Sequence, residues 1–337
     1  MSKLLNENTR LLITGGAGYV GTELVYFLSN YNCKITVLDR FLYQRTVFPK
    51  CDNIEVIEGD IRDQQLVCSL LKRTDVVIHL ACISNDPSYE LCTNFSASVN
   101  YKNFEWFAES AKNYGVKGFV NASSSSVYGI VDEANVTEQT KTNPLTPYAS
   151  SKLINEQILH SIGNNNFLTV SLRPATVCGF SRRLRLDVVV NIFASQAFYD
   201  QKIKVFGGEQ KRSNIHILDM VSAYNLILNT DLSLINNQVF NVGEENHKIL
   251  DIAKLVQNLV LEKSIPIEVI ESSDKRSYQI TCDKIKSKLG FQFQHSVVAS
   301  IKDLLRQFKS LSREDTVDNP NCYNVQKVKS LLKLGLK

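Results

Sequence analysis

The first half of the chain repeats one pattern: a short aliphatic, β-branched run, then a longer stretch in which apolar positions recur every three or four residues. The short runs are Arg10–Thr14, Lys34–Leu38, Ile54–Ile57, Asp75–Leu80, Gly118–Ala122 and Leu168–Leu172. Strict alternation would leave one strand face in water. Near-continuous apolarity instead predicts strands covered on both faces, as in a parallel sheet. The helical period predicts helices over about Tyr19–Tyr31, Gln64–Lys72, Ser98–Tyr114 and Pro147–Ile162. Alternation of this kind predicts an α/β fold, a Rossmann-type doubly wound parallel sheet.

After Pro174 the rhythm changes. The pattern predicts a helix near Asp187–Asp200, a strand at Lys204–Phe206, a polar loop GGEQKRSN, a short strand at Val239–Val242 and a helix around Leu250–Leu261. Residues 1–176, completed by a strand near 239–243, read as a dinucleotide-binding unit. Residues 177–310 read as a smaller mixed α/β substrate-binding lobe, and 311–337 as a tail. In the tail Lys327, Lys329, Lys333 and Lys337 are interleaved with Val328, Leu331, Leu332 and Leu334. That spacing predicts an amphipathic terminal helix packed on the domain, with a membrane or partner contact as the other reading.

Composition narrows the class. The chain has 337 residues, 44% hydrophobic and 21% charged, enough to bury a large core. A net charge of +4 gives no strong basic stripe, so no nucleic-acid partner is expected. The eight cysteines include no C-x-x-C pair, which points to free thiols in a reducing compartment and to no zinc site. The segment MSKLLNENTR lacks the apolar core of a signal peptide, and no stretch approaches the roughly 18 apolar residues of a membrane span. The expectation is a cytoplasmic protein with no membrane partner.

TGGAGYVG follows the first strand and opens a helix. Glycines there allow a tight turn and a close approach of backbone to a pyrophosphate, which the helix N-terminus attracts. Gly15, Gly18, Tyr19, Val20 and Gly21 are the cofactor-binding candidates. Asp39 ends the second strand, where a carboxylate accepts hydrogen bonds from the adenine ribose hydroxyls and repels a 2′-phosphate. Arg40 beside it could tolerate that phosphate, so NADP remains an alternative to NAD. Asp60 and Ile61, after the third strand, are placed near the adenine.

Tyr148 and Lys152 lie four residues apart in PLTPYASSK, hence on one face of a helix that Pro147 would begin. A cation beside a phenol favours the phenolate, which can take a proton from a hydroxyl at a carbon being oxidised. The serine run in ASSSSVYG follows the fifth strand, at the sheet edge where such folds bind ligands.

These residues together resemble the extended short-chain dehydrogenases/reductases. The motifs are Gly15-x-x-Gly18-x-x-Gly21, His79-Leu80-Ala81, Ser123–Gly129, Tyr148-x-x-x-Lys152 and Arg173-Pro174-Ala175-Thr176, in order between about Leu11 and Leu305. The resemblance implies that Tyr148 is the catalytic base, that Lys152 binds the nicotinamide ribose and tunes Tyr148, and that Ser124, or Ser125, is the polar partner at the sugar. It also implies that Leu80 and Ala81 line the cofactor cleft and that Asn100 supports it. Asn191 and Arg212 would meet the substrate diphosphate, with Arg276 a second phosphate or ribose candidate. His79 and His216, in apolar strand contexts, read as packed structural histidines.

In the family's 4,6-dehydratases the serine motif carries Thr-Asp-Glu, whose acids eliminate water. Here Ser125 and Ser126 stand at the acid positions. The resemblance therefore implies an NAD-dependent nucleotide-sugar epimerase acting through oxidation at C4, in surface polysaccharide or glycoconjugate synthesis. A 4-dehydrogenase or ketoreductase is the near alternative, and Arg182–Asn191 is similar to a segment in a subgroup that includes GDP-heptose 4-dehydrogenases. A non-catalytic NAD(P)H-binding member would have lost Tyr148 or Lys152. By analogy the helices near Ser98–Tyr114 and Pro147–Ile162 would form a homodimer interface.

Overall fold

The computed structural model describes residues 3–44, 48–131, 135–243, 245–260, 265–271 and 279–335. The predicted strands form β1 (Arg10–Thr14), β2 (Lys34–Asp39), β3 (Ile54–Glu58), β4 (Val76–His79), β5 (Gly118–Ala122) and β6 (Leu168–Pro174). The chain then leaves the sheet through β7 (Thr176–Cys178), β8 (Ile203–Phe206) and β9 (Lys211–His216), and returns with β10 (Gln238–Val242). β11 (Glu245–Lys248) and β12 (Ile267–Ile270) follow. The central sheet is parallel, in the order β10-β6-β5-β4-β1-β2-β3.

Both faces are covered, as the apolar runs require. Leu11, Ile13, Val76 and Ile78 pack on the side of the helices Tyr19–Leu28 and Ile217–Asn229. Leu12, Val77 and Phe119 face the opposite way, toward the helix Phe104–Asn113 and Leu159 of the helix Pro147–Ile162. Strand order reverses between β1 and β4, which opens a crevice at the carboxyl ends of these strands. Among the described residues no helix is long and apolar enough to cross a membrane.

Two of the expected stretches fold differently from the sequence reading. The helix foreseen over Ser98–Tyr114 is interrupted: a wide helical turn spans Ser98–Lys102, between Thr93–Ala97 and Phe104–Asn113. Asn100 in that turn pairs with Ile83 through both its amide atoms, at 2.8 and 3.1 Å, and its carbonyl accepts from Asn155 at 2.8 Å. These tertiary bonds compete with a regular helical ladder. The supposed loop through QKRSN contains β9, which pairs with β11 and β7. Its polar side chains Ser213 and Asn214 are buried, and Ser213 hydrogen-bonds Asn246. Pattern reading sees polarity and misses a strand whose Ser213 hydroxyl and Asn214 amide nitrogen find partners inside the protein.

His79 ends β4, where Thr14 Oγ1 meets its Nδ1 at 2.9 Å and the Phe104 ring packs edge-on at 5.2 Å. Burial pushes the imidazole down to about 3. A protonated ring is thus favoured only in the unfolded chain, so stability should be complete above about pH 6.5 and fall as pH drops toward 3. A Tm series from pH 7 to 4 checks this: His79→Phe should show a shallower acid loss than wild type, and equal slopes would refute the assignment.

Candidate active site

The crevice is a cleft of about 450 Å³, running from the glycine loop to the serine run and onto the second half of the chain. Gly15 adopts φ +72°, and a Cβ there would sit 2.6 Å from the Ala81 nitrogen. Gly18 lines the cleft, where a Cβ would meet only the Gly15 oxygen within 4 Å. Gly18 also begins the helix Tyr19–Leu28, and no side chain caps it. Uncapped N–H groups beside a glycine surface fit a dinucleotide pyrophosphate.

Asp39 lies at the same wall. Its Oδ2 accepts from the Ala17 amide at 2.9 Å and its Oδ1 from the Phe41 amide at 2.8 Å. Burial nevertheless pushes its carboxyl above the ordinary value. Asp60 is paired with Arg62 at 2.8 Å and with Arg40 at 3.0 Å. Burial works to raise Asp60, but the bonds and charge of Arg62, with Arg40, hold its carboxyl below the usual range. Arg40, which left a 2′-phosphate open on sequence grounds, turns toward Asp60.

The helix Pro147–Ile162 is aimed by its first turn. Thr146 caps it by accepting from the Ala149 amide at 3.2 Å, and donates to Asp86 at 2.5 Å. Lys152 is buried, donates to the Ala122 carbonyl at 2.7 Å, and lies 5.8 Å from the centre of the Tyr148 ring. Burial raises the Tyr148 phenol well above its ordinary value, as do Cys82 and Asp86, while Arg185 and a hydrogen bond with Ser124 pull it down. Within the serine run the surroundings differ. Ser124 is half-buried and accepts from the Ser126 amide and hydroxyl at 3.1 and 2.9 Å. Ser125 is buried, and Ser123 is held by Glu156.

Behind this face lies a buried network. Arg173 binds Glu156 through two nitrogens at 2.9 and 2.6 Å and donates to the Tyr128 hydroxyl at 2.8 Å, which in turn donates to Asn241 at 2.7 Å. It ties β6, β10, the serine run and the Tyr148 helix into one unit.

Most of the sequence-predicted site residues converge here. Gly15, Gly18, Tyr19, Val20, Gly21, Asp39, Asp60, Ile61, Leu80 and Ala81 line the cleft, as do Ser124, Ser125, Tyr148, Lys152 and Arg212. Asn100 and Asn191 are not among the lining residues. Asn100 braces the Ile83 backbone, as above. Asn191 is fully buried; it accepts from the Gly179 amide at 2.9 Å and donates to the Arg185 carbonyl at 2.8 Å and the Tyr19 hydroxyl at 3.1 Å. With its amide engaged within the protein, it acts as a latch beneath the site. Arg276 lies outside the described residues. His216 is buried and its ring stacks on His295 at 4.6 Å, away from the cleft.

Sequence reasoning missed Tyr43, Arg183, Arg185, Asp187 and Asn324, all of which line the cleft. Arg185 and Asp187 form an ion pair at 2.6 Å. The sequence signal was the unusual RRLRLDVVVN segment, which carried no role for its individual arginines.

The chain is similar to several known proteins. A UDP-glucose 4-epimerase from Lactobacillus helveticus is 26% identical over 316 residues, covering 87% of this chain and 94% of that protein. A dTDP-D-glucose 4,6-dehydratase from Dictyostelium discoideum is 28% identical over 273 residues, 74% of this chain but only 62% of that longer relative. The crystal structure of UDP-glucuronic acid 4-epimerase from Bacillus cereus, in complex with UDP-glucuronic acid and NAD, is 25% identical. It superimposes with a TM-score of 0.79, covering 90% of this chain and all of that one. With residues 11–243 matching its family model, the chain belongs to the NAD dependent epimerase/dehydratase family.

Proposed function

We propose that the protein is a nucleotide-sugar 4-epimerase that oxidises the sugar transiently at C4. The observation that carries this reading is the Ser124, Tyr148 and Lys152 cluster in a cleft continuous with the glycine loop, with serines at 125 and 126. Relatives of both reaction types are similar to this chain. Elimination of water needs an acid and a base beside the sugar, and a serine hydroxyl performs neither role readily. An epimerase needs only one proton-transfer group, which Tyr148 supplies.

In this reading the Tyr148 phenolate takes the proton of the C4 hydroxyl and later returns it, while Ser124 hydrogen-bonds the same oxygen. When bound, NAD would supply the hydride acceptor at C4 and, once reduced, the hydride donor. Asp39 would hold the adenine ribose hydroxyls, the N-terminus of Tyr19–Leu28 the cofactor phosphates, and Arg212 the substrate diphosphate. Residues 1–176 with β10 form the cofactor unit and 177–310 the substrate lobe. The protein acts in the cytoplasm as a homodimer, in polysaccharide or glycoconjugate synthesis. Purified protein incubated with UDP-, GDP-, CDP- and dTDP-sugars, with products read by NMR, tests the reading. Inversion at C4 is expected; a released 4-keto sugar would instead make it a dehydrogenase.

Because burial raises the phenol, kcat should climb with pH as Tyr148 deprotonates. Lys152 adds a positive charge near the ring, so Lys152→Met should move that climb to higher pH by about 1–3. A pH–kcat profile that stays in place would count against Lys152 as the tuning group.

A further inference from the structure

Arg183 is 1% exposed, one of the largest fully buried side chains, yet it lines the cleft. Its terminal nitrogen donates to the neutral Asn324 side chain at 2.6 Å, and its Nε has no hydrogen-bond partner. Its guanidinium stacks 3.9 Å from the centre of the Tyr43 ring, whose hydroxyl is also buried and unpartnered. The neighbouring acid is already engaged: Asp187 gives one oxygen to Arg185 at 2.6 Å and the other to the Asn324 amide at 2.9 Å. Among the described residues no carboxylate pairs with Arg183. Asp187 and Asp39 act on the guanidinium only through space, and a buried guanidinium with no carboxylate in direct contact leaves room for a further anionic partner.

The segment carrying Arg183 is pinned to the glycine-loop helix. Ser181 donates to the Tyr19 carbonyl at 2.8 Å, the Arg182 amide donates to Glu23 at 2.8 Å, and the Tyr19 hydroxyl donates to the Gly179 carbonyl at 2.6 Å. Arg183 is therefore held beside the uncapped N-terminus of Tyr19–Leu28. From the other side Asn324 is fixed by donating to Ser84 at 2.7 Å. Arg183 and the helix N-terminus thus border the same cleft.

We propose that Arg183 binds a diphosphate, completing the site that the glycine loop begins. Asn324, from the C-terminal segment, is a positioning residue that holds the guanidinium in place. A planar fork with its Nε and terminal nitrogens suits two phosphate oxygens at once. The inference rests on the dinucleotide reading of the cleft, not on which sugar reaction follows. The diphosphate belongs either to the cofactor or to the nucleotide sugar.

The test is binding, read apart from turnover. Wild type, Arg183→Gln and Arg183→Lys would be compared for NAD retained after gel filtration, for Kd of NAD, and for Kd of UDP and of GDP. Arg183→Gln should weaken diphosphate binding about tenfold to a hundredfold, and Arg183→Lys should weaken it less. Loss confined to NAD assigns the cofactor diphosphate, and loss confined to UDP or GDP assigns the substrate. Without ligand, Arg183→Gln should match or exceed wild type in Tm, because a buried unpaired charge is removed. Unchanged binding in both arms, or a ligand-free Tm that drops in Arg183→Gln with affinities preserved, would overturn the proposal and leave Arg183 a purely structural residue.

Discussion

Tyr148→Phe should keep its fold and its NAD while losing about 10²–10⁴-fold in kcat, the range general acid–base groups contribute. The substitution removes one oxygen from a ring that remains packed in the first turn of Pro147–Ile162. Thr146, Asp86 and the Ala149 amide still set that turn. The cofactor wall, from Gly15 to Asp60, does not depend on the phenol. The change should therefore fall on kcat, with little effect on NAD content or Tm. Steady-state kinetics together with cofactor content by absorbance check this, and a variant within about threefold of wild type would remove Tyr148 from the proton-transfer role.

The second large effect is on stability. Glu156→Ala strips the carboxylate from a pair in which both side chains are nearly buried, 7% exposed for Arg173 and 5% for Glu156. Arg173 would keep only the Tyr128 hydroxyl as a partner, and Ser123 would lose its acceptor. Breaking a buried pair by removing one partner costs about 3–5 kcal/mol. Replacing both, as in Glu156→Leu with Arg173→Met, should lose markedly less, because no uncompensated charge remains. Urea unfolding of the three variants decides the matter. A single variant within about 1 kcal/mol of wild type would show that the network is not holding the Tyr148 helix to the sheet.

Legibility in the sequence followed burial. β1 spans the residues its apolar run predicted, Arg10–Thr14, because a strand enclosed by helices on both faces must be apolar throughout. The glycine loop, Asp39 and the Tyr148/Lys152 pair were legible because each depends on local spacing. What was hidden depends on distant chain. Arg183 has no role legible in the sequence until Asn324, 141 residues further on, is seen to hold it. Asn191 could be read as a ligand-binding amide, yet three internal partners occupy it. The helix Ile217–Asn229 was not foreseen, although Ser222, Asn225 and Asn229 recur at helical spacing opposite its buried Met220, Ala223, Tyr224 and Ile227.

The central claim is that C4 is oxidised and then reduced with inversion on one bound sugar. Its most direct test uses a nucleotide sugar deuterated at C4, drawn from whichever substrate the panel identifies. A C4-inverted product that keeps deuterium at C4, with no net reduction of the cofactor, is the expected result. Deuterium transferred to C6 with loss of water, or an accumulating 4-keto sugar with one equivalent of reduced cofactor, would contradict it.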